Sequence, residues 1–166
     1  MADFELKGKT ILITGGSSGI GKMTAVLCAE QGAHVIILGT NKERLDQVLR
    51  SLKGTGHRRV VCDLTEHRDY GFLFDEIVER AGRLDGLVHC AGINGVYPLR
   101  AIKREHLTQV MGVHFYAFVE LVKQYAKKKN SHGGSIVAVS SAAADIGEVC
   151  QTVYSAAKGA VDAAVR

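Results

Sequence analysis

Five short apolar runs recur along this 166-residue chain, each apolar at consecutive positions and each separated from the next by a stretch of helical period. They lie at residues 10–14, 34–38, 59–62, 86–90 and 134–139. A strand that is apolar on both faces must be covered on both, and a parallel sheet with crossover helices on each side does this. Right-handed crossovers then leave a doubly wound, three-layer α/β sheet as the most economical topology. The intervening helices read as follows. Ile20, Met23, Val26 and Leu27 share helical spacing over 20–30, with Gly32 as the stop. Asn41 caps a helix to about 52, and Thr65 caps one to about 81, where Glu76 and Arg80 form an i,i+4 pair. A long helix is expected over 104–129 and a last one over 153–166. Without an internal repeat or linker, residues 1–166 read as a single domain.

Composition excludes several function classes. Hydrophobic residues at 46% and charged residues at 23% are ordinary for a globular chain. The net charge of +4 is too small and scattered for nucleic acid, but suits an anionic cofactor. Cys28, Cys62, Cys90 and Cys150 show neither metal-type spacing nor the density of a disulfide scaffold, so they read as small hydrophobes in a reducing compartment. The seven histidines include no i,i+4 pair, and no metal site is expected. The start, Met1-Ala2-Asp3-Phe4-Glu5, lacks a basic and apolar leader, and no run approaches the length of a membrane span. A cytoplasmic protein is expected.

Ligands on such sheets sit beyond the carboxyl ends of the strands. The first strand ends in Thr14-Gly15-Gly16-Ser17-Ser18-Gly19-Ile20-Gly21. Glycines there let the backbone approach a pyrophosphate, and the following helix N-terminus offers free N–H groups. The spacing G-x-x-x-G-x-G differs from the commoner G-x-G-x-x-G, and no Gly-Lys-Ser/Thr follows to make a nucleotidase P-loop.

This T-G-x-x-x-G-I-G resembles the cofactor motif of the short-chain dehydrogenase/reductase family, whose domain is Rossmann-like. Three further segments extend the likeness. Cys62-Asp63-Leu64 is similar to the family's D-[LV] step, which implies that Asp63 meets the adenine amino group with Leu64 beside it; a carboxylate at a helix start is the other reading. His89-Cys90-Ala91-Gly92 stands at the N-N-A-G position, with both asparagines replaced, which implies that Cys90, Ala91 and Gly92 line the cofactor. Gly134-Ser135-Ile136-Val137-Ala138-Val139-Ser140-Ser141 resembles G-x-I-V-x-x-S-S.

Tyr154-Ser155-Ala156-Ala157-Lys158 matches the family's Y-x-x-x-K. Four residues make about one helical turn, so both side chains leave one face. An ammonium close to a phenol favours the phenolate, whose free pKa of about 10 otherwise suits proton transfer poorly. Ser141 lies 13 residues before Tyr154, the family spacing, which assigns it the substrate oxygen and leaves Ser140 structural. In the family the lysine also holds the nicotinamide ribose. His114 occupies the place of the family's helix asparagine, which links the lysine to solvent through a water; here it is either a proton relay or a neutral packing residue. The implied reaction is reversible hydride transfer between a nicotinamide and a carbonyl or secondary alcohol of a small molecule.

NAD-selective relatives carry an acid where this chain has Gly39, and many NADP users place arginine where it has Thr40. Thr40, Asn41 and Lys42 together could hold a 2′-phosphate, so NADP(H) is favoured over NAD(H); Lys42 and Arg44 also read as first-turn surface charges. Lys127, Lys128 and Lys129 read as a solvated helix end.

Family members run well beyond the point reached here, since Arg166 lies eight residues after Lys158. A C-terminally incomplete domain is therefore expected, with the fifth strand as an open edge and the 166 residues alone weak or inactive. A non-catalytic cofactor-binding or interaction module is the alternative. A homodimer or homotetramer is expected by resemblance, with Phe115, Phe118, Leu121 and Val122 either at its interface or packed on the sheet.

Overall fold

The computed structural model describes residues 5–66 and 69–166. Five parallel strands, β1 (Thr10–Thr14), β2 (His34–Gly39), β3 (Arg58–Val61), β4 (Leu84–His89) and β5 (Ser131–Ala138), form one sheet in the order β3-β2-β1-β4-β5. The helices are α1 (Gly19–Glu30), α2 (Lys42–Ser51), α3 (Tyr70–Ala81), α4 (Arg104–Met111), α5 (Ala117–Tyr125) and α6 (Thr152–Val165). Successive strands move outward from β1 through β2 to β3, then the order reverses at β4. The crevice between the ends of β1 and β4 is thus the topological switch point, the standard ligand position in such sheets.

The continuous apolar runs serve two cores at once. Ile11, Ile13, Val35 and Ile37 pack on one face with Ala25 and Ala29 of α1 and Leu45 and Val48 of α2. Leu12, Ile36, Leu38 and Leu87 point the other way, against Leu73, Phe74 and Ile77 of α3 and Ala117 and Leu121 of α5. This period-two division between two buried faces gives the doubly wound three-layer architecture its core. Beta-5 is the sheet edge, and its Ile136 and Val137 are 37% and 49% exposed.

Local chemistry sets several boundaries. Asn41 caps α2 by accepting from the Arg44 N–H at 2.9 Å. Helix α3 starts later than Thr65: Asp69 is the cap, accepting from Phe72 N–H, while Thr65 N–H and hydroxyl donate to the Asp63 carboxylate in a tight turn. His67 and Arg68, within the expected helix, lie outside the described residues, as do Met1–Phe4 of the N-terminal reading. The Glu76–Arg80 pair is present at 3.5 Å.

The long helix expected over 104–129 is not one α-helix. A π-turn at Gly112–Tyr116 joins α4 to α5, and the helix closes at Tyr125. Lys127, Lys128 and Lys129 follow it, and Lys129 pairs with Asp75 on α3. Phe118 and Leu121 are buried in this chain's own core rather than presented outward.

Phe74 is fully buried at the centre of the α3–α5 layer. Phe74→Ala should cost about 3–5 kcal/mol of unfolding free energy in a urea titration.

Candidate active site

The turn from β1 into α1 is built by close backbone approach. Gly15 has φ +68°, and a Cβ there would stand 2.8 Å from the Ala91 nitrogen. At Gly21 it would stand 2.4 Å from the Gly15 carbonyl oxygen. Only glycine permits this tight path. The Ser18 side chain makes no capping bond and the first turn of α1 carries no acid, so its N–H groups face outward as an anion cradle.

A pocket of about 440 Å³ opens at this turn and spans the strand ends. Its walls are Gly15, Ser17, Ser18, Gly19, Ile20 and Gly21 from the loop, Leu38, Gly39 and Thr40 after β2, and Cys62, Asp63, Leu64 and Thr65 after β3. Cys90, Ala91, Gly92 and Ile93 after β4 close it, with Gln109 and Val113 from the helix above. Thr40 is therefore at the pocket, whereas Asn41 and Lys42 are not among its lining residues. Asn41 is spent on its cap, and Lys42 joins Arg59 on the carboxylate of Asp46, whose pKa those two hydrogen bonds lower. A side chain at Gly39 would meet only Ser17 and Leu45 at 3.5 Å or more, so there is steric room for an acid that the chain does not place there.

The three residues of the expected catalytic set come from β5's continuation and α6. Ser141 begins a short turn at Ala142–Ala144, where its Oγ accepts from the Ala143 N–H at 3.2 Å and keeps its own proton to donate. The Ser140 hydroxyl is buried without a partner. Lys158 is buried at 6% exposure, and its ammonium donates to the Val139 carbonyl at 2.7 Å. It stands 5.7 Å from the centre of the Tyr154 ring, and burial pushes its pKa down. A buried ammonium with a single protein acceptor retains N–H groups for hydroxyls of a bound molecule.

Two histidines are buried close to the segment after β4. Thr14 is fully buried behind the pocket: its hydroxyl accepts from Ala91 N–H at 3.1 Å and contacts His89 Nδ1 at 2.9 Å. His89 Nε2 lies 3.2 Å from the Val113 carbonyl. A carbonyl can only accept, so Nε2 carries the proton and Nδ1 accepts from Thr14. His114, also buried, sets its Nε2 at 3.1 Å from Ile93 N and 2.9 Å from Ile93 O, with Nδ1 unpartnered. Its ring meets Tyr154 edge-on at 5.4 Å. In the sequence His89 reads only as an exchanged asparagine; its spacing from Thr14 and Val113 carries no local signal. Ile93, Gln109 and Val113 were likewise invisible as pocket walls.

The glycine cradle and the walls after β2, β3 and β4 fit a dinucleotide, whereas Ser141, Tyr154 and Lys158 are not among the residues lining this pocket. The sequence pattern of the short chain dehydrogenase family matches residues 9–166. The chain belongs to that family. Among relatives of the short-chain dehydrogenase, the 3-oxoacyl-[acyl-carrier-protein] reductase of Thermotoga maritima is 35% identical over 161 residues, covering 94% of this chain and 65% of its own length. Carbonyl reductase family member 4 of Danio rerio is 31% identical, covering 93% and 65%. The chain thus spans slightly less than two thirds of these relatives. A short-chain dehydrogenase of Escherichia coli CFT073 complexed with NADPH superposes with TM-score 0.90 at 31% identity, covering 99% of this chain and 71% of that one. One from Shigella flexneri complexed with NADP gives 0.88 at 31% identity, covering 96% and 70%. Among the described residues no cluster suits a metal, and no helix is long and apolar enough to cross a membrane.

Burial pushes the His89 pKa down to about 4, with the Lys158 ammonium adding to the effect, and burial also lowers that of His114. The unfolded chain binds these protons near the ordinary pKa of 6.5, so below that pH it holds more protons than the folded one, for His89 down to about 4. Stability should therefore fall as pH drops through that window, by at most about 1.4 kcal/mol per pH unit for each histidine. Urea midpoints at pH 7, 6 and 5 should decline less steeply for His114→Asn than for the unaltered protein.

Proposed function

We propose that this chain carries the cofactor site and reacting groups of an oxidoreductase that interconverts a small-molecule carbonyl and its secondary alcohol using NADP(H). The observation that supports this most is the buried Lys158 ammonium beside Tyr154, within electrostatic reach of Cys90, which together with the Gly15–Gly21 cradle lines the pocket. When bound, the dinucleotide supplies or takes the hydride at its nicotinamide ring.

The chain's own residues do the rest. Backbone N–H groups from Ser17 to Gly21 hold the pyrophosphate, and Asp63 and Leu64 flank the adenine. Lys158 turns its remaining N–H groups to ribose hydroxyls, while Cys90, Ala91 and Gly92 line the path between. In reduction, Ser141 donates its hydroxyl proton in a hydrogen bond to the substrate oxygen, and Tyr154 delivers a proton to that oxygen as negative charge builds on it. In oxidation Tyr154 takes the proton back. NADP(H) is preferred because no acid at Gly39 repels a 2′-phosphate, and the Thr40 and Ser17 hydroxyls are there to meet it. Lys42 is held by Asp46 and contributes less than its sequence position suggests.

Quenching titrations of the full chain should show NADPH bound at least tenfold more tightly than NADH. Gly21→Ala should weaken NADPH by tenfold or more, because the added Cβ overlaps the Gly15 carbonyl. Tyr154→Phe should leave binding intact and lower carbonyl-dependent NADPH oxidation about 100-fold or more. Equal binding of both dinucleotides would remove the NADP preference, and undiminished oxidation in Tyr154→Phe would remove the mechanism.

A further inference from the structure

Two asparagine positions of the family resemblance carry histidine in this chain, and the fold sets those histidines against each other. His89, on β4, reaches up to the Val113 carbonyl, which belongs to the peptide bond leading into His114. His114, on the π-turn, sets its Nε2 against Ile93, just beyond β4, where it accepts from the Ile93 N–H in one tautomer and donates to the Ile93 carbonyl in the other. Gly92 lies between them, and the place where its Cβ would be is 2.3 Å from the His114 Cε1. His89 thus holds the peptide that leads into His114, and His114 holds the backbone four residues beyond His89. Thr14 fixes the direction of the first link, since its single hydroxyl proton serves His89 Nδ1 while its oxygen accepts from Ala91.

A π-turn widens the helix by one residue and is frequent at functional sites, and here one of its carbonyls, that of Val113, meets a side chain from the sheet. The His89 N–H is the donor, at the peptide that aims His114. We propose that His89 is a positioning residue for the reacting end of the pocket: with Thr14 it clamps the π-turn and thereby sets His114 against Ile93, beside Tyr154. Phe118 tilts against the His89 ring, centroid to centroid 5.6 Å. The significance of the clamp for turnover rests on the reading of Tyr154 and Lys158 given above; the geometry of the clamp does not.

The test is histidine NMR on the full 166-residue chain, following the His114 ring resonances from pH 8 to pH 4, with no cofactor. In the unaltered protein His114 should be neutral at pH 7 and protonate below the ordinary histidine range. His89→Leu removes both hydrogen bonds of the clamp and should release His114 toward solvent, raising its midpoint by at least half a pH unit. His89→Gln keeps one acceptor and one donor and should bring the midpoint back toward the original. A folded His89→Leu protein with an unchanged His114 midpoint overturns the proposal. Should His89→Leu fail to fold by circular dichroism, Thr14→Val decides. It keeps the shape of Thr14, removes the hydroxyl that orients His89 and accepts from the Ala91 N–H, and should shift His114 in the same direction. No shift there overturns the proposal equally. Undiminished turnover in Tyr154→Phe would defeat the enzymatic reading and leave these resonances where they are, so the two failures are distinct.

Discussion

The Thr14 hydroxyl is the point on which the carboxyl end of this sheet is organised. It sits at the end of β1, accepts from the backbone after β4 and meets His89, which continues the chain of hydrogen bonds to the helix layer above. Thr14 and His89 are fully or almost fully buried, so each bond is made in a medium where an unmade one would be costly. β1 and β4 are paired neighbours at the switch point, and these side-chain bonds tie their carboxyl ends to each other and to the segment that follows β4. The pocket depends on that junction, because Gly15 approaches Ala91 across it.

From this junction the rest of the site follows by proximity. The glycine turn lies on one side, the segment after β4 forms the floor, and the π-turn lowers Val113 and His114 onto it. Val139 N–H bonds to the His89 carbonyl, and the Val139 carbonyl in turn accepts from Lys158. The buried ammonium is thus tied to the same strand end as the histidine pair. Burial lowers the pKa values of His89, His114 and Lys158 alike, since each loses water around its charged form. The two rings stay neutral near pH 7, which suits hydrogen bonding in definite directions.

Particular residues show why some features were legible and others were not. Asn41 was recognisable as a cap because capping is local: its side chain reaches an N–H three residues on. The same reasoning chose Thr65 for the next helix, yet Asp63 engages Thr65 in its own turn and Asp69 takes the cap. Lys42 looked available for a phosphate, but Asp46 and Arg59 from a neighbouring strand form a cluster that holds it. The π-turn left no trace in the apolar period of 104–125, because one inserted residue only rotates the stripe that the sheet then re-registers. Phe118 and Leu121 were suited to an interface or to the sheet, and packing put them on the sheet.

By itself the sequence determined the parallel α/β architecture, the glycine turn, and the order of Ser141, Tyr154 and Lys158, since period, glycine sterics and one-turn spacing act over a few residues. Tertiary structure alone decided which groups share a hydrogen bond at the reacting end. Thr14 and His89 are 75 residues apart, and His114 and Ile93 are 21 apart. Such contacts exist only once the sheet and helices have packed, because their directions are set by where the whole backbone arrives.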